Sequence, residues 1–146
     1  MVTFISSSAA ETQAIGKQLA NDLGAGCVLA LKGELGSGKT TFTKGLVTGL
    51  GSSTAASSPT FTIVHEYQGG RLPIYHFDFF RLENRESADG LGFDDYFFSD
   101  GVCVIEWADR FPHLVPRHAR WILFHIKSER ERMISLPDNG DEDSGA

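Results

Sequence analysis

Short hydrophobic runs recur along the chain and alternate with stretches of helical spacing. Five runs are apolar or alternate between apolar and polar positions, and they cover residues 2–5, 27–31, 101–106, 119–127 and 133–136. The second and third runs are apolar almost throughout, which is typical of strands buried on both faces of a parallel sheet. Strands in alternation with helices predict one α/β domain with a mainly parallel central sheet.

Two helices are predicted between these strands. Ser8 and Glu11 have the S-x-x-E spacing of a capping box, so a helix with an apolar residue at every fourth position should follow. Gly24 stands where a left-handed helix terminator is expected. The second helix is predicted at residues 41–50, which again place an apolar residue at every fourth position and end in glycines.

A β-hairpin is predicted in the middle of the chain. Residues 61–67 and 72–79 alternate between apolar and polar positions on either side of a Q-G-G-R turn. The small polar residues at 52–59 predict a loop before the hairpin, and residues 81–98 predict a mixed helical region after it. The hairpin would add an antiparallel pair to the sheet.

One motif carries specific chemistry. Residues 33–40 spell GELGSGKT, the G-x-x-x-x-G-K-[ST] pattern of a loop that wraps backbone amides around the phosphates of ATP or GTP. Gly36 and Gly38 allow positive φ and a close approach of the backbone to phosphate. Lys39 supplies a mobile positive charge to the phosphates, and the Thr40 hydroxyl can complete a Mg²⁺ shell. The strand predicted before the loop and the helix after it favour this interpretation over a chance glycine turn.

Hydrolysis also requires an acidic side chain near Mg²⁺ or the attacking water, and strand ends supply two candidates. Glu106 ends a buried strand, and Asp78 falls near the end of the hairpin. Position alone leaves open whether either is functional or an ordinary carboxylate in a salt bridge. Thr60 could contact the γ phosphate as a switch or simply start a strand. His76 could orient water or pack in the core, and Trp107 could simply pack.

Composition narrows the class of protein. Of the 146 residues 41% are hydrophobic, which suffices for one domain, and we place it at residues 1–136. Residues 137–146 are acidic, lack apolar anchors and are predicted to be a disordered tail. The formal net charge of −6 disfavours autonomous nucleic-acid binding, and no apolar run reaches membrane-spanning length, so we expect a cytoplasmic protein. Cys27 and Cys103 lie in apolar runs and are expected to be buried thiols.

Four strings in fixed order carry a resemblance to a known family. They are GELGSGKTTF at residues 33–42, SPTFTIVHEY at 58–67, YHFDFFRL at 75–82 and VIEWADR at 104–110. The chain resembles the bacterial TsaE (YjeE) family, the small ATPases of tRNA threonylcarbamoyladenosine biosynthesis, from about residue 8 to 132. The resemblance implies a three-layer P-loop NTPase-like fold that binds ATP and Mg²⁺.

The resemblance also implies roles for particular residues. The nucleotide would contact Leu35, Gly36, Ser37, Gly38, Lys39, Thr40 and Thr41, with Thr12, Trp107 and either Arg130 or Arg132 at its border. Thr40 and Glu106 would coordinate Mg²⁺. Lys39 would act in catalysis with Thr60 as a switch threonine and with Asp78 as the acid of an H-x-D motif. Phe80 stands where the family has a tyrosine, so any role of that hydroxyl is lost or taken elsewhere.

Family members do not transfer the threonylcarbamoyl group themselves. By resemblance, this chain would dock on a TsaD-type transferase and a TsaB-type subunit, would contact tRNA only indirectly, and would hydrolyse ATP slowly when alone. A small-molecule kinase, a GTPase switch and a noncatalytic nucleotide sensor are the alternatives. The chain contains no Asn-Lys-x-Asp string for guanine and no recognisable arginine-bearing lid.

Overall fold

The computed structural model of the protein describes residues 2–52, 64–82 and 92–136. Its strands are β1 Val2–Ser6, β2 Val28–Gly33, β3 Val64–Tyr67, β4 Ile74–Asp78, β5 Val102–Glu106, β6 Arg120–Ile126 and β7 Arg132–Leu136. The α-helices of these ranges are α1 Ala9–Ala20, α2 Lys39–Gly49 and α3 Phe93–Phe97, and 3-10 turns occupy Phe79–Arg81, Ala108–Arg110 and Pro112–Leu114. Each of the five predicted runs corresponds to a strand whose ends differ from the prediction by no more than two residues.

One seven-stranded sheet, in the order β1-β7-β6-β2-β5-β4-β3, forms the centre of the fold. Its middle strands β6, β2, β5 and β4 pair in parallel. Both edges are antiparallel, because β3 pairs with β4 as the predicted hairpin and β7 pairs with both β6 and β1. The predicted α/β fold with a mainly parallel core is confirmed. The sequence predicted β1 and β7 as strands but not the direction of their pairing, which is antiparallel.

The sheet separates two hydrophobic layers, because successive side chains of a strand point to opposite faces. On one face, Leu29 and Leu31 of β2 pack in a cluster with residues of α1 and α2. On the other face, α3 and the 3-10 turns bury a second cluster that contains the aromatic residues Phe77, Phe79, Phe93, Phe97 and Trp121. Helices therefore cover both faces of the sheet, as the predicted three-layer arrangement requires.

The two long helices pack so closely that glycine is required where they touch. A Cβ added to Gly45 of α2 would overlap the backbone carbonyl of Gln13, and one added to Gly16 of α1 would overlap the carbonyl of Phe42. Backbone atoms cannot yield to such an overlap without separation of the helices. Because α2 begins at the phosphate-binding motif, this contact fixes the position of that motif against α1.

The start of α1 is capped by Ser8 as predicted, and the return bond from Glu11 goes to the amide of the preceding residue, Ser7. The Ser8 hydroxyl accepts a hydrogen bond from the Glu11 amide at 3.1 Å, and a Glu11 carboxylate oxygen accepts one from the Ser7 amide at 3.0 Å. The hydroxyls of Ser6 and Thr12 lie 2.7 Å apart and are both buried. These bonds join β1 to the first turn of α1 in a defined geometry.

The prediction that Gly24 ends α1 in a left-handed conformation is wrong. The helix ends at Ala20, and its cap Asn21 is right-handed with φ −64°. The left-handed residue is Gly26, with φ 84°, and its amide donates to the Gly101 carbonyl at 3.0 Å. A contact with the segment before β5 therefore sets the position of the left-handed turn, which local sequence does not show.

The two cysteines are free thiols, as predicted. Cys103 is buried, whereas Cys27 is only partly buried. Burial raises the pKa of Cys103 to about 12. A thiol with this pKa carries almost no thiolate near neutral pH, so Cys103 behaves as a core residue.

Several predictions concern residues outside the described ranges. Thr60, most of the loop at 52–59, much of the mixed helical region at 81–98 and the tail at 137–146 all lie there. Within residues 92–136, α3 confirms a helix in the last part of the mixed region. None of the helices in the described ranges is long and apolar enough to cross a membrane.

Candidate functional site

The glycine-rich motif forms the connection between β2 and α2. β2 ends at Gly33 and α2 begins at Lys39. Gly36 and Gly38 have φ 82° and φ 104°, so both glycines adopt the positive φ that the sequence predicts for them. Gly38 is the N-cap of α2, and no side chain caps this helix. The first amides of α2 are therefore available to an anion, and the helix dipole favours negative charge at that point.

Ser37 adds a buried polar group to this loop. Its hydroxyl is fully buried and has no hydrogen-bond partner among the described residues. A Cβ added to Gly33 would lie 2.7 Å from this hydroxyl, so the start of the loop must be glycine for the loop to fold over itself. An unpaired buried hydroxyl is costly, and a phosphate oxygen in the loop is one partner that would satisfy it.

Lys39 crosses the loop that precedes it. Its side chain is buried, with 4% of its surface exposed, and its ammonium donates to the Gly33 carbonyl at 2.5 Å. Burial lowers the pKa of Lys39, and the carboxylates of Asp109, Glu106 and Asp78, in decreasing order, oppose this shift. The loop therefore contains one desolvated cation near three carboxylates, at the position where the sequence predicts the phosphates.

Glu106 and Thr40 are in direct contact, as expected of two ligands of one metal ion. The Thr40 hydroxyl donates to Glu106 Oε1 at 2.8 Å, and His76 is hydrogen-bonded to Glu106 Oε2. Burial by itself raises the pKa of Glu106, but the hydrogen bond and charge of His76, the hydrogen bond from Thr40 and the charge of Lys39 outweigh it, so the net shift is downward. Glu106 is thus an ionised carboxylate, which accepts both hydrogen bonds.

This pair fits Mg²⁺ in the kind of ligand it offers. Mg²⁺ prefers oxygen ligands and is commonly held by one or two protein oxygens together with phosphate oxygens and water. No group of three or more histidine, cysteine or acidic side chains suited to a metal occurs in the described ranges. An all-protein metal cage is therefore not formed by those residues, whereas a carboxylate and a hydroxyl beside a phosphate loop suit a nucleotide-bound ion.

Asp78, the second predicted acid, lies beside Glu106 at the same end of the sheet. The register of β4 and β5 pairs these two residues directly. Asp78 Oδ1 accepts from the Phe80 amide at 3.1 Å, and Oδ2 accepts from Arg81 Nε at 3.3 Å. Its side chain is 29% exposed, so solvent water can reach it. The sequence left open whether Asp78 is functional or forms an ordinary salt bridge. A salt bridge to Arg81 is present, but such an exposed pair stabilises the fold only weakly.

A cleft of about 340 Å³ lies beside the loop, between α1 and the β6–β7 turn. It brings together three of the predicted nucleotide contacts, Thr12, Thr41 and Arg132, with the backbone of Gly36 and Gly38. Arg130, the alternative to Arg132 in the sequence prediction, also lines it. The cleft volume is at the lower end of the range for small-molecule sites.

Two predicted residues have surroundings that the sequence did not indicate. Leu35 is 82% exposed at the outer side of the loop. Arg132 Nε donates to the Gly36 carbonyl at 3.0 Å, and its Nη1 donates to carbonyls of the β6–β7 turn, those of Ser128, Glu129 and Glu131. The Arg132 guanidinium therefore ties the β6–β7 turn to the phosphate loop through backbone contacts.

Sequence reasoning missed Asp109 and set His76 aside. Asp109 has the largest carboxylate effect on Lys39, and His76 contacts Glu106 directly. Asp109 could have been found from its place three residues after Glu106 in the same string. His76 needed the register of β4 against β5, because 30 residues separate it from Glu106 in the sequence. The sequence prediction for Thr60 stays a prediction, since this residue lies outside the described ranges.

A comparison with protein-family models matches residues 6–134 to "Threonylcarbamoyl adenosine biosynthesis protein TsaE". The chain is similar to the tRNA threonylcarbamoyladenosine biosynthesis protein TsaE of Bacillus subtilis (strain 168), with 47% identity over 126 residues, 86% of this chain and 78% of that protein. The protein of the same description from Treponema pallidum (strain Nichols) is 37% identical over 132 residues, 90% of this chain and 97% of that protein.

A solved structure is similar in fold. The crystal structure of Bacillus subtilis YdiB superposes with a TM-score of 0.76 at 38% sequence identity. The alignment covers 92% of this chain and 83% of that one. Fold and sequence therefore agree over nearly the whole of this chain.

Proposed function

Because the chain belongs to the TsaE family, we propose that it binds and hydrolyses ATP in the biosynthesis of threonylcarbamoyladenosine in tRNA. One observation carries the ATPase part of this proposal. The Thr40 hydroxyl at the start of α2 donates to Glu106 at the end of β5. The phosphate-binding loop and a strand-end acid are thus joined at one point, where a nucleotide-bound metal ion would be held.

The loop residues would bind the triphosphate. No side chain caps the amides at the start of α2, and the Lys39 ammonium lies across the loop at the Gly33 carbonyl, so both would supply positive potential for the phosphates. The cleft lined by Thr12, Thr41 and Arg132 would accept the nucleoside. Thr40 and Glu106 would hold Mg²⁺, which when bound offsets charge on the phosphate oxygens.

Hydrolysis would proceed by in-line attack of water on the γ phosphorus. The water oxygen forms a bond to phosphorus while the bond to the β–γ bridging oxygen breaks, and ADP leaves with that electron pair. The proton of the water passes to the released phosphate. Asp78, on the strand next to Glu106 and accessible to solvent, would orient the water, and Thr60 would act as the switch threonine.

We further propose that the ATPase cycle serves a TsaD-type transferase and a TsaB-type subunit, with tRNA contacted only through them. The formal net charge of −6 supports the indirect contact, because an acidic surface repels the tRNA backbone. A subunit that works through protein partners does not need a basic surface of its own. Slow turnover alone and faster turnover in the complex are expected from this arrangement.

Nucleotide binding and hydrolysis by the purified chain test the ATPase part. We expect Mg²⁺-dependent, slow hydrolysis of ATP that is abolished in Lys39→Ala and retained in Lys44→Ala, a control on the exposed side of α2. Competition of ATP by GTP at equal strength would instead favour a GTPase switch. Phosphate transfer to a small acceptor would favour a kinase, and binding without hydrolysis, even with both partner subunits, would favour a nucleotide sensor.

A further inference from the structure

Trp107 has an unusual backbone conformation. It follows Glu106 directly, and its φ of 60° and ψ of 34° place it in the left-handed region. Among the described residues it is the one non-glycine residue with positive φ. A bulky residue adopts this conformation at an energetic cost, so the surrounding structure must hold it there. The conformation lets the chain turn sharply at the end of β5.

The indole that this turn positions lies against the loop lysine. Lys39 Nζ is 3.3 Å from the centroid of the Trp107 ring, and the same ammonium donates to the Gly33 carbonyl. A cation over an indole face is stabilised by the electrons of the ring, and more strongly where water is excluded. The ammonium is thus held between a carbonyl oxygen and an aromatic face. A phosphate oxygen can use the remaining N–H groups.

Two further side chains, Phe80 and Arg110, hold the Trp107 indole in place. The Phe80 ring lies 5.1 Å from the Trp107 ring, centroid to centroid, at an interplanar angle of 45°. Arg110 donates to the Phe80 carbonyl, and its guanidinium carbon lies 5.5 Å from the Phe80 ring centroid. Phe80 is 59% exposed, so this packing is not explained by burial in the core. A continuous series of contacts therefore runs from Arg110 through Phe80 and Trp107 to the Lys39 ammonium.

We propose that Trp107 is a positioning residue that seats the Lys39 ammonium across the loop before a nucleotide binds. The indole then affects affinity through the phosphates and not through the base. This inference rests on the proposed nucleotide binding for its functional consequence. The seat itself is a property of the free protein and can be tested without a nucleotide.

The first experiment uses the indole N–H signals of the free protein in a ¹⁵N-labelled sample. The chain has two tryptophans, Trp107 and the buried core residue Trp121, so two signals are expected. Lys39→Met should move one of them and leave the other in place, and Trp107→Phe should assign the moved signal by its loss. Lys44→Met, the matched control on the same helix, should move neither. If Lys39→Met also leaves both signals in place, the ammonium does not sit on Trp107 and the proposal is overturned.

The second experiment compares ligands that differ in their phosphates. Trp107→Leu should lower the affinity for ATP and for inorganic tripolyphosphate roughly fivefold, and should leave the affinity for adenosine unchanged. Trp107→Phe, which keeps an aromatic face, should retain most of the wild-type affinity. An equal loss for adenosine and ATP would overturn the proposal, because the indole would then contact the base.

The two experiments separate this proposal from the proposed function. If the wild-type protein binds neither ATP nor tripolyphosphate, the proposed function fails, while a moved indole signal in Lys39→Met still supports the seat. If Trp107→Leu does not fold, as judged by its circular dichroism, the indole signals of Lys39→Met and Lys44→Met decide.

Discussion

Replacement of His76 by alanine should destabilise the protein through Glu106. Glu106 is 6% exposed and His76 is the hydrogen-bond partner of its Oε2 atom, while Thr40 occupies Oε1. Because an ionised carboxylate can only accept hydrogen bonds, the His76 ring must supply the proton. His76→Ala would leave a buried, charged oxygen without that donor.

The expected loss is about 2–3 kcal/mol in the free energy of unfolding near neutral pH. A buried polar group left without its hydrogen-bond partner costs about 1–3 kcal/mol, and a charged group costs more. The side chains of His76 and Glu106 are 12% and 8% exposed, so water can partly replace the lost donor, while the charge of Glu106 keeps the expected loss in the upper part of that range. His76→Gln, which keeps an N–H donor, should recover part of the loss.

A double-mutant cycle with Glu106→Gln isolates the contact. If the pair acts as a unit, the unfolding free energies from urea titration should show a coupling of about 2 kcal/mol. Losses that add to within about 0.5 kcal/mol in the double variant would show that the two side chains act independently, contrary to this prediction. The m value should stay constant across the four proteins, which confirms that each still unfolds as one unit.

The pH dependence of stability tests independently whether Glu106 is ionised in the folded protein. The pKa of Glu106 in the folded protein lies below its ordinary value of 4.5. The stabilisation from the ionised carboxylate is therefore fully present above the unfolded-state pKa and is lost as the pH falls through the lowered folded-state pKa. The difference in stability between wild type and Glu106→Gln should shrink over this acidic window. A difference that stays constant into acid would contradict the assignment of an ionised Glu106.

Three further predictions concern other contacts. Gly45→Ala should destabilise the protein by about 2 kcal/mol or more in urea titration, because its Cβ would overlap a backbone carbonyl of α1. The control Gly24→Ala, with open space around it, should be neutral or slightly stabilising. Equal effects of the two substitutions would contradict the close packing of α1 and α2. Arg132→Ala should speed amide hydrogen exchange in the phosphate loop more than Arg130→Ala does, because Arg132 holds the Gly36 carbonyl, and equal exchange would count against that tie. Thr40→Val, which keeps the shape but removes the hydroxyl, should raise the Mg²⁺ concentration needed for ATP hydrolysis at least about tenfold, and an unchanged requirement would exclude Thr40 as a ligand.

The phosphate loop could be predicted because its chemistry is local. Gly36 and Gly38 have the positive φ that their place in the motif implies, and the helix predicted at residues 41–50 is present as α2, which begins two residues earlier, at Lys39. The acids Glu106 and Asp78 could be proposed because parallel strands end at one edge of a sheet. In the structure, the register of β4 and β5 pairs Asp78 directly with Glu106.

Contacts that join distant segments could not be predicted in the same way. Arg132 reaches the Gly36 carbonyl across 96 residues of sequence, and His76 reaches Glu106 across 30. Both contacts depend on strand order and register, which periodicity does not determine. The misplaced end of α1 has the same cause, because the left-handed turn at Gly26 is set by its bond to Gly101.

In the proposed function, ATP hydrolysis by this chain allows its partner subunits to threonylcarbamoylate tRNA repeatedly. The most direct measurement is the number of modified adenosines formed per transferase molecule, with purified TsaD-type and TsaB-type subunits, unmodified tRNA, ATP and the other substrates of the reaction. We expect many turnovers with the wild-type chain and none beyond the first with Lys39→Ala. Repeated turnover with Lys39→Ala at the wild-type rate would contradict this expectation.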